Sequence, residues 1–318
     1  MPHSHHSHSG QFCPGHARDS LDAIVQHAIS LHMTVFALTE HMPRHDIDRY
    51  PDEGPEHDLT HQLANEEAYF KEALRMREKY RGQIEIPIGF ESDWIRPESA
   101  DLIRQSIDRY GFDFFMGSVH HVHTVPIDYN QEMYHEARRI AGGTDERLFG
   151  DYFDAQLGML KSVRPPVVGH FDLIRLKSDD PNQNLQGLKG VWERVLRNLD
   201  FIAKYGGILE INSSAVRKGM DDPYPKREVC QAALEKGIRF CLSDDSHGID
   251  HIAHSYDRVL QFVEQVGIQS LTSLKHGEPS DNVDKNGTTD ERFPTLRFGQ
   301  VDVGTLRQNK FSQSTKYA

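Results

Sequence analysis

Long apolar runs are missing from this 318-residue chain, and none approaches the ~20 residues that a membrane-spanning helix requires. Cysteine is scarce as well. Cys13, Cys230 and Cys241 form no disulfide framework, and so small a number fits a reducing, cytoplasmic setting. The first residues are polar, which predicts no secretory leader. Positive charge is outweighed: the formal net charge of −12 excludes the basic face that a nucleic-acid partner needs. The same balance repels an anionic substrate at long range, and bound divalent cations would reverse that sign locally. No internal repeat is present.

Histidine, by contrast, is abundant, with twenty residues. Those in Met1–Gly10 are interrupted by serines and never form a run of six, unlike a purification tag. A loose metal-scavenging tract stays open as a reading for His3 and His5. The apolar fraction of 37% is modest but sufficient for a core.

Six short runs rich in Val, Ile and Phe read as buried parallel strands: Thr34–Thr39, Ile84–Phe90, Phe112–Val119, Pro166–Gly169, Gly207–Ile211 and Ile238–Ser243. His6-Ser7-His8 would be a seventh, short and polar. Helical periods separate them. Leu21 to Ile29 follows a capping Asp19 or Ser20, and further helices cover Glu66–Tyr80, Ala100–Tyr110, Leu148–Val163, Leu188–Ile202, Arg227–Lys236 and Ile252–Val266. Seven strand–helix units in one domain predict a closed or nearly closed parallel α/β barrel over residues 1–275. A doubly wound open sheet competes, but it would gather its ligands at one crevice. Met42–Gln62, His121–Arg147 and Leu173–Gly187 are expected to be long loops walling the barrel mouth. Residues 276–318 read as a polar, partly flexible tail, with Phe293–Phe298 docking back.

Metal-binding side chains follow nearly every apolar run. His6 and His8 are two apart, so on a strand both imidazoles reach one metal, and Asp245 and His247 repeat that spacing. His41, Glu91, His120 and His170 each stand at the C-terminal end of a strand, and His16 can fold back from the loop before the first helix. Nine such groups exceed one metal's needs and suit two or three ions. Mixed imidazole and carboxylate donors favour Zn, Mn or Fe over a thiolate site. A single histidine at a strand end is more often solvated than ligating, and His27, His32, His45, His57, His61, His135, His251 and His254, off the strand ends, are expected to be ordinary surface residues. His121 should face away from His120 or point out at the rim, and Asp244 away from Asp245. Glu40, Asp172, Glu210 and Asn212 are expected to hold imidazole tautomers. Arg175 and Lys177 follow the Pro166–Gly169 run, and Arg217 and Lys218 the Gly207–Ile211 run, where a guanidinium would match a phosphate.

The motifs His6-Ser7-His8, Pro14-Gly15-His16-Ala17, Thr39-Glu40-His41, Gly89-Phe90-Glu91, Gly117-Ser118-Val119-His120, Gly169-His170-Phe171-Asp172 and Ser243-Asp244-Asp245-Ser246-His247 resemble, in order, those of the polymerase-and-histidinol-phosphatase (PHP) superfamily. Within it the chain is similar to the histidinol-phosphatase branch in its fungal form. The resemblance implies a distorted (β/α)7 barrel and a trinuclear centre on the nine residues just named. It also implies hydrolysis of L-histidinol phosphate, a small-molecule ester, with Arg217 and Arg175 on the phosphate. Asp245 and His247 would stand near the departing alkoxide, and carboxylates such as Asp93 or Glu40 would suit the substrate's cationic amine and imidazole. Many relatives have Asp where Glu40 stands, and the crowded N-terminus leaves open whether His3 or His5 replaces His6. Rival readings are a phosphoesterase of the same superfamily acting on nucleotides or sugar phosphates, an amidohydrolase-type enzyme, which would need a bridging lysine, and a non-enzymatic metal buffer.

Overall fold

Parallel pairing of short, apolar strands organises the protein. The computed structural model describes residues 2–278 and 290–308. Its elements run β1 (His3–Ser4), α1 (Leu21–Ser30), β2 (Val35–Phe36), α2 (Leu59–Lys79), β3 (Glu91–Asp93), α3 (Ser99–Arg109), β4 (Met116–Ser118), β5 (His121–Val122), β6 (Val125–Pro126), α4 (Gln131–Ile140), α5 (Asp145–Val163) and β7 (Val167–Val168). They continue with α6 (Lys189–Tyr205), β8 (Ile208–Asn212), α7 (Ser214–Arg217), α8 (Arg227–Glu235), β9 (Arg239–Ser243), α9 (Tyr256–Val266), β10 (Ser270–His276), β11 (Leu296–Asp302) and α10 (Val303–Gln308).

The central sheet has the order β3-β4-β7-β8-β9, parallel throughout, and β1 pairs β2, also parallel. Both strand faces are covered, which is why these segments read as continuous apolar runs and not as alternations. Isolated parallel bridges Val35↔Glu85, Leu38↔Ile88 and His41↔Glu91 run between the β2 segment and the segment entering β3, and Ser7↔Ser246 links the chain beyond β1 to the chain beyond β9. The fold is therefore α/β with a parallel sheet, as expected.

The regular strands are shorter than the apolar runs. Across Ile84–Phe90 the pairing is interrupted because Pro87 has no N–H to give the ladder; its carbonyl still accepts from Leu38 N at 3.0 Å. At Gly89 a side chain is excluded: a Cβ would lie 2.8 Å from the Phe114 carbonyl oxygen, so the backbones approach as closely as they do only with glycine there.

Helix boundaries follow their caps. Ser20, not Asp19, caps α1 by accepting from Ala23 N, and Gly206 ends α6 with φ 81°. Helix α2 begins at Leu59, earlier than its apolar period, because Asp58 caps it by accepting from His61 N at 2.8 Å. The expected loop His121–Arg147 instead contains the β5–β6 hairpin and α4. Asn130 caps that helix, which buries only Tyr134 and Ala137, too few apolar positions to show a period. The expected loop Met42–Gln62 runs into α2 at Leu59, and before it holds only two single 3-10 turns, Asp46–Asp48 and Pro55–His57, with the Arg44–Glu53 ion pair and Tyr50 N donating to Glu53 Oε2 at 2.8 Å tying it down.

Beyond the sheet, β10 and β11 form a seven-residue antiparallel ladder. His276 ends β10, and Phe293 is buried against Phe115 with ring centroids 5.9 Å apart. Asp113 ties this hairpin down: its carboxylate accepts from Ile88 N, Thr295 Oγ1, His276 Nδ1 and the Arg77 guanidinium. Burial would push that carboxyl up, but His276 and Arg77 outweigh it and hold it below the usual range. Residues 279–289 and 309–318, the rest of the expected flexible tail, lie outside the described residues.

Glu66 on α2 is buried against the Ser106 hydroxyl of α3. Burial raises its carboxyl to about 7, against the opposing Ser106 bond and the Arg109 charge. Folded protein thus holds this proton more tightly than unfolded chain. The group costs nothing below its unfolded value of 4.5, and stability falls as pH rises through the window up to about 7. The loss is on the order of 3 kcal/mol. Glu66→Gln should therefore melt higher than the parent at about pH 8, with the gap closing toward about pH 5. A pH-independent gap in thermal melts would contradict this.

Candidate metal centre

Alternation along the N-terminal extended segment decides which histidines meet. His6 and His8 point to one side, into the interior beneath the C-terminal ends of the parallel strands. His3 and His5 serve the backbone instead: His3 Nε2 accepts from Leu242 N, while His5 Nδ1 donates to the Leu242 carbonyl and its Nε2 accepts from Leu274 N at 2.8 Å. Burial pushes the His5 ring down to about 4, so it is neutral, as those two bonds require.

Glu91, at the start of β3, is the centre of the cluster. Its Oε2 lies 3.3 Å from His6 Nε2, 3.4 Å from His8 Nε2 and 3.1 Å from His41 Nδ1. Its Oε1 lies 2.9 Å from His170 Nε2 and 3.4 Å from His120 Nε2. Asp245 Oδ1 stands 3.6 Å from His6 Nε2 and 3.7 Å from His8 Nε2. Three overlapping triads have donor atoms spaced closely enough to hold an ion: His6, His8 and Glu91; Glu91, His120 and His170; and His8, His41 and His247. His16 is exposed and stacks edge-on to His247 at 4.5 Å, with His41 at 5.7 Å. The structure thus gathers all nine residues picked out from the sequence.

Neighbouring acceptors fix the ring tautomers. Glu210 Oε1 accepts from His6 Nδ1 at 2.8 Å, leaving Nε2 toward Glu91, while its Oε2 accepts from His170 N and Asn212 Nδ2. The Asp245 carbonyl accepts from His247 Nδ1 at 3.0 Å. Asp93 Oδ1 lies 3.3 Å from Nδ1 of both His120 and His121. Glu40 Oε1 accepts from Ser9 N and Ser9 Oγ, and its Oε2 stands 3.7 Å from His8 Nδ1. A ring whose Nδ1–H is engaged offers the lone pair of Nε2 to a cation.

Charge follows from this crowding. Burial would raise the Glu91 carboxyl, but His6 and His120 bring it well below the carboxylate range. Burial and the charge of His8 hold His41 down to about 3 and His247 well below its usual value, so both rings are neutral near pH 7, the ligating form. Five ring nitrogens, His6 Nε2, His8 Nδ1 and Nε2, His170 Nδ1 and His247 Nε2, are buried without a hydrogen-bond partner. Each such atom costs about 1–3 kcal/mol in a protein interior. Convergent imidazole and carboxylate donors of this kind, several of them unpartnered, fit divalent cations of the Zn, Mn and Fe type.

Other expected residues lie elsewhere. Arg175, expected at the mouth on phosphate, is buried. Its donors are committed to the carbonyls of Pro181, Asp222 and Pro223, to Met220 Sδ and to Asp172. Asp172 correspondingly pairs with Arg175 and accepts from Lys226 N instead of holding an imidazole. Lys177 is half-buried, its carbonyl accepting from Gln131, and no bond among the described residues joins it to the cluster. Arg217 donates to the carbonyls of Asp244 and Asp245, and Lys218 is exposed beside it. Asp244 faces away as expected, accepting from Ser4 Oγ and Ala253 N.

Sequence reasoning missed three supports. The Ser243 hydroxyl bonds Glu210, His251 Nδ1 accepts from His247 N, and Asp93, expected to meet the substrate's cationic groups, stands against His120 and His121. Only Asp93 carried a signal, its two-residue spacing from Glu91 on β3.

A parallel α/β scaffold that turns imidazoles and carboxylates onto one buried centre is that of a metal-dependent hydrolase. The chain belongs to the PHP domain family, whose model matches residues 4–214. It is 40% identical over 296 residues to a "probable histidinol-phosphatase" of Schizosaccharomyces pombe, covering 91% of this chain and 95% of the relative. It is 31% identical over 332 residues to the histidinol-phosphatase of Saccharomyces cerevisiae, covering 93% and 97%. Among solved structures, a histidinol phosphate phosphatase of Lactococcus lactis, determined with zinc, L-histidinol and phosphate, superposes with a TM-score of 0.67 at 21% identity, covering 85% of this chain and 95% of that one.

Removing the Glu210 carboxylate leaves His6 Nδ1, the Ser243 hydroxyl and His170 N without their acceptor. Glu210→Ala should weaken metal retention about ten- to a hundredfold in elemental analysis after chelator dialysis. Unchanged metal content would show that Glu210 does not orient these rings.

Proposed function

We propose that this chain is a metal-dependent phosphomonoesterase that hydrolyses L-histidinol phosphate to L-histidinol and phosphate in cytosolic histidine biosynthesis. The observation that carries the proposal is Glu91, buried between two sets of imidazoles with unpartnered nitrogens and flanked by Asp245. The curated fungal relatives, alike over nearly their whole length, favour this substrate over nucleotide or sugar phosphates. An amidohydrolase-type centre would include a lysine, and no lysine directly follows any of the six apolar runs.

In this reading the metal ligands are His6, His8, His16, His41, Glu91, His120, His170, Asp245 and His247. Seven parallel segments, joined by the bridges to β3 and between Ser7 and Ser246, form a distorted (β/α)7 barrel with these residues at its mouth. Two or three Zn, Mn or Fe ions would supply a water acidic enough to attack at neutral pH and positive charge for the phosphate dianion. His16, His41 and His247 form the open side of the cluster, where the ester enters. Asp245 and His247 border that opening and are the groups placed to touch the reacting phosphate.

The remaining work falls to this chain's own side chains. Arg217 gives two of its five N–H groups to carbonyls and turns others to a phosphate oxygen. Lys218 adds a second positive charge in an otherwise acidic protein. Glu210 and Asp93 keep the rings in their ligating tautomers, so no reorientation is needed when substrate arrives. Attack runs in line with the ester oxygen, which leaves as it gains a proton.

Protein loaded with Mn or Zn should release inorganic phosphate from L-histidinol phosphate, and chelation should abolish release. His247→Ala should lower turnover at least about a hundredfold or empty one metal position. Equal turnover of nucleotide or sugar phosphates would replace the proposed substrate, and stoichiometric metal binding with no turnover of any ester would reduce the protein to a metal carrier.

A further inference from the structure

The segment Asn212–Arg217 grips Asp245 at both ends. On the side-chain end, Asp245 Oδ2 lies 3.3 Å from Ser214 Oγ and 3.5 Å from Asn212 Nδ2, which leaves Oδ1 toward His6 and His8. At the backbone end, Arg217 Nη1 donates to the Asp244 carbonyl at 2.8 Å and Nη2 to the Asp245 carbonyl at 3.0 Å. The residue so held has φ 50°, in the left-handed region that a side chain disfavours. Such a conformation persists only where its surroundings over-determine it. The same Asp245 carbonyl also accepts from His247 Nδ1 at 3.0 Å, so its direction sets the tautomer of a second ring in the cluster. The turn is also tied by His251 Nδ1, accepting from His247 N, and by the Ser246 and His247 carbonyls, which accept from His8 N and Arg18 N at 2.8 Å each.

We propose that Arg217 is a positioning residue for the metal centre, acting before any substrate binds. Its planar guanidinium clamps two successive carbonyls and thereby holds the Asp245 turn left-handed, aims Asp245 Oδ1 at His6 and His8, and keeps His247 Nε2 free for a cation. This rests on the metal-centre reading and adds to the phosphate role of Arg217. A lysine cannot replace the clamp, because a single ammonium on a flexible stem does not present the two parallel N–H groups that span both carbonyls.

The test is metal retention without substrate. Zn-loaded parent, Arg217→Ala and Arg217→Lys are dialysed against graded chelator, and retained zinc is counted by elemental analysis, with circular dichroism recording the fold. Arg217→Ala is expected to release zinc at about ten- to a hundredfold lower chelator, Arg217→Lys at an intermediate level, and added guanidinium is expected to restore part of the retention in Arg217→Ala. The kinetic readout separates the two roles. Loss of the clamp lowers kcat at limiting metal and recovers with excess Zn, whereas loss of the phosphate contact raises KM at any metal level. If Arg217→Ala holds zinc as tightly as the parent while KM for L-histidinol phosphate rises, the clamp is refuted and the phosphate role stands. Should the alanine variant not fold, Arg217→Lys with parental zinc retention refutes the clamp equally. A parent that takes up no zinc overturns both this inference and the metal-centre reading beneath it.

Discussion

A buried carboxylate surrounded by imidazoles is the constraint on which the rest depends. Glu91 lies within 3.4 Å of ring nitrogens from five histidines carried on four separate stretches of chain. Few other arrangements keep so many titratable groups out of water, because each ring and carboxylate needs a partner that does not itself need solvation. Rings protonated against one another would repel, and rings left neutral leave nitrogens unsatisfied. Divalent cations resolve both problems at once, which is why the fold tolerates a polar centre where a parallel sheet would otherwise place aliphatic side chains.

The surrounding structure is arranged to serve that centre. The segments entering the sheet are apolar, and each turns polar at its C-terminal end, so the same direction of travel that buries Ile88, Phe90, Val167 and Ile211 delivers Glu91, His170 and Asn212 to one side. Gly89 lets the β3 backbone approach Phe114 closely just before Glu91, which fixes how deep that carboxylate sits. Around the clustered rings a layer of acceptors (Glu210, Asp93 and the Asp245 carbonyl) takes the outward-facing ring N–H groups. Asp113 performs an unrelated task, joining the C-terminal hairpin to α2 and the sheet.

Much of this was legible in the sequence because strand-end placement is a one-dimensional property. An apolar run followed by His, Glu or Asp states both where a strand stops and what it carries, and His41, Glu91, His120, His170, Asp245 and His247 were found that way; His6 and His8 rested on their two-residue spacing, and His16 on a loop able to fold back. The parallel α/β class followed from the same alternation. Helix α4 was not legible, since two buried residues in ten give no period, and Pro87 hid how short the regular pairing would be. Arg175 and Arg217 show a different limit. Both follow a strand motif by a few residues, and five donors suit a phosphate or a set of carbonyls equally, so only the folded backbone reveals that Arg175 is consumed by Pro181, Asp222 and Pro223. The register of the N-terminal histidines was likewise undecidable until β9 and β10 claimed His3 and His5. Ser243 and His251 act through contacts that no local spacing encodes.

The bridge between Ser7 and Ser246 has a consequence for biogenesis. His6 and His8 leave the ribosome more than two hundred residues ahead of Asp245, the partner that completes their surroundings. During that interval the nascent histidines are exposed to whatever cations the cell contains, with no mature geometry to discriminate among them. Selectivity is therefore acquired late, when the last-made part of the sheet arrives and converts an indiscriminate chelating tract into a shaped site.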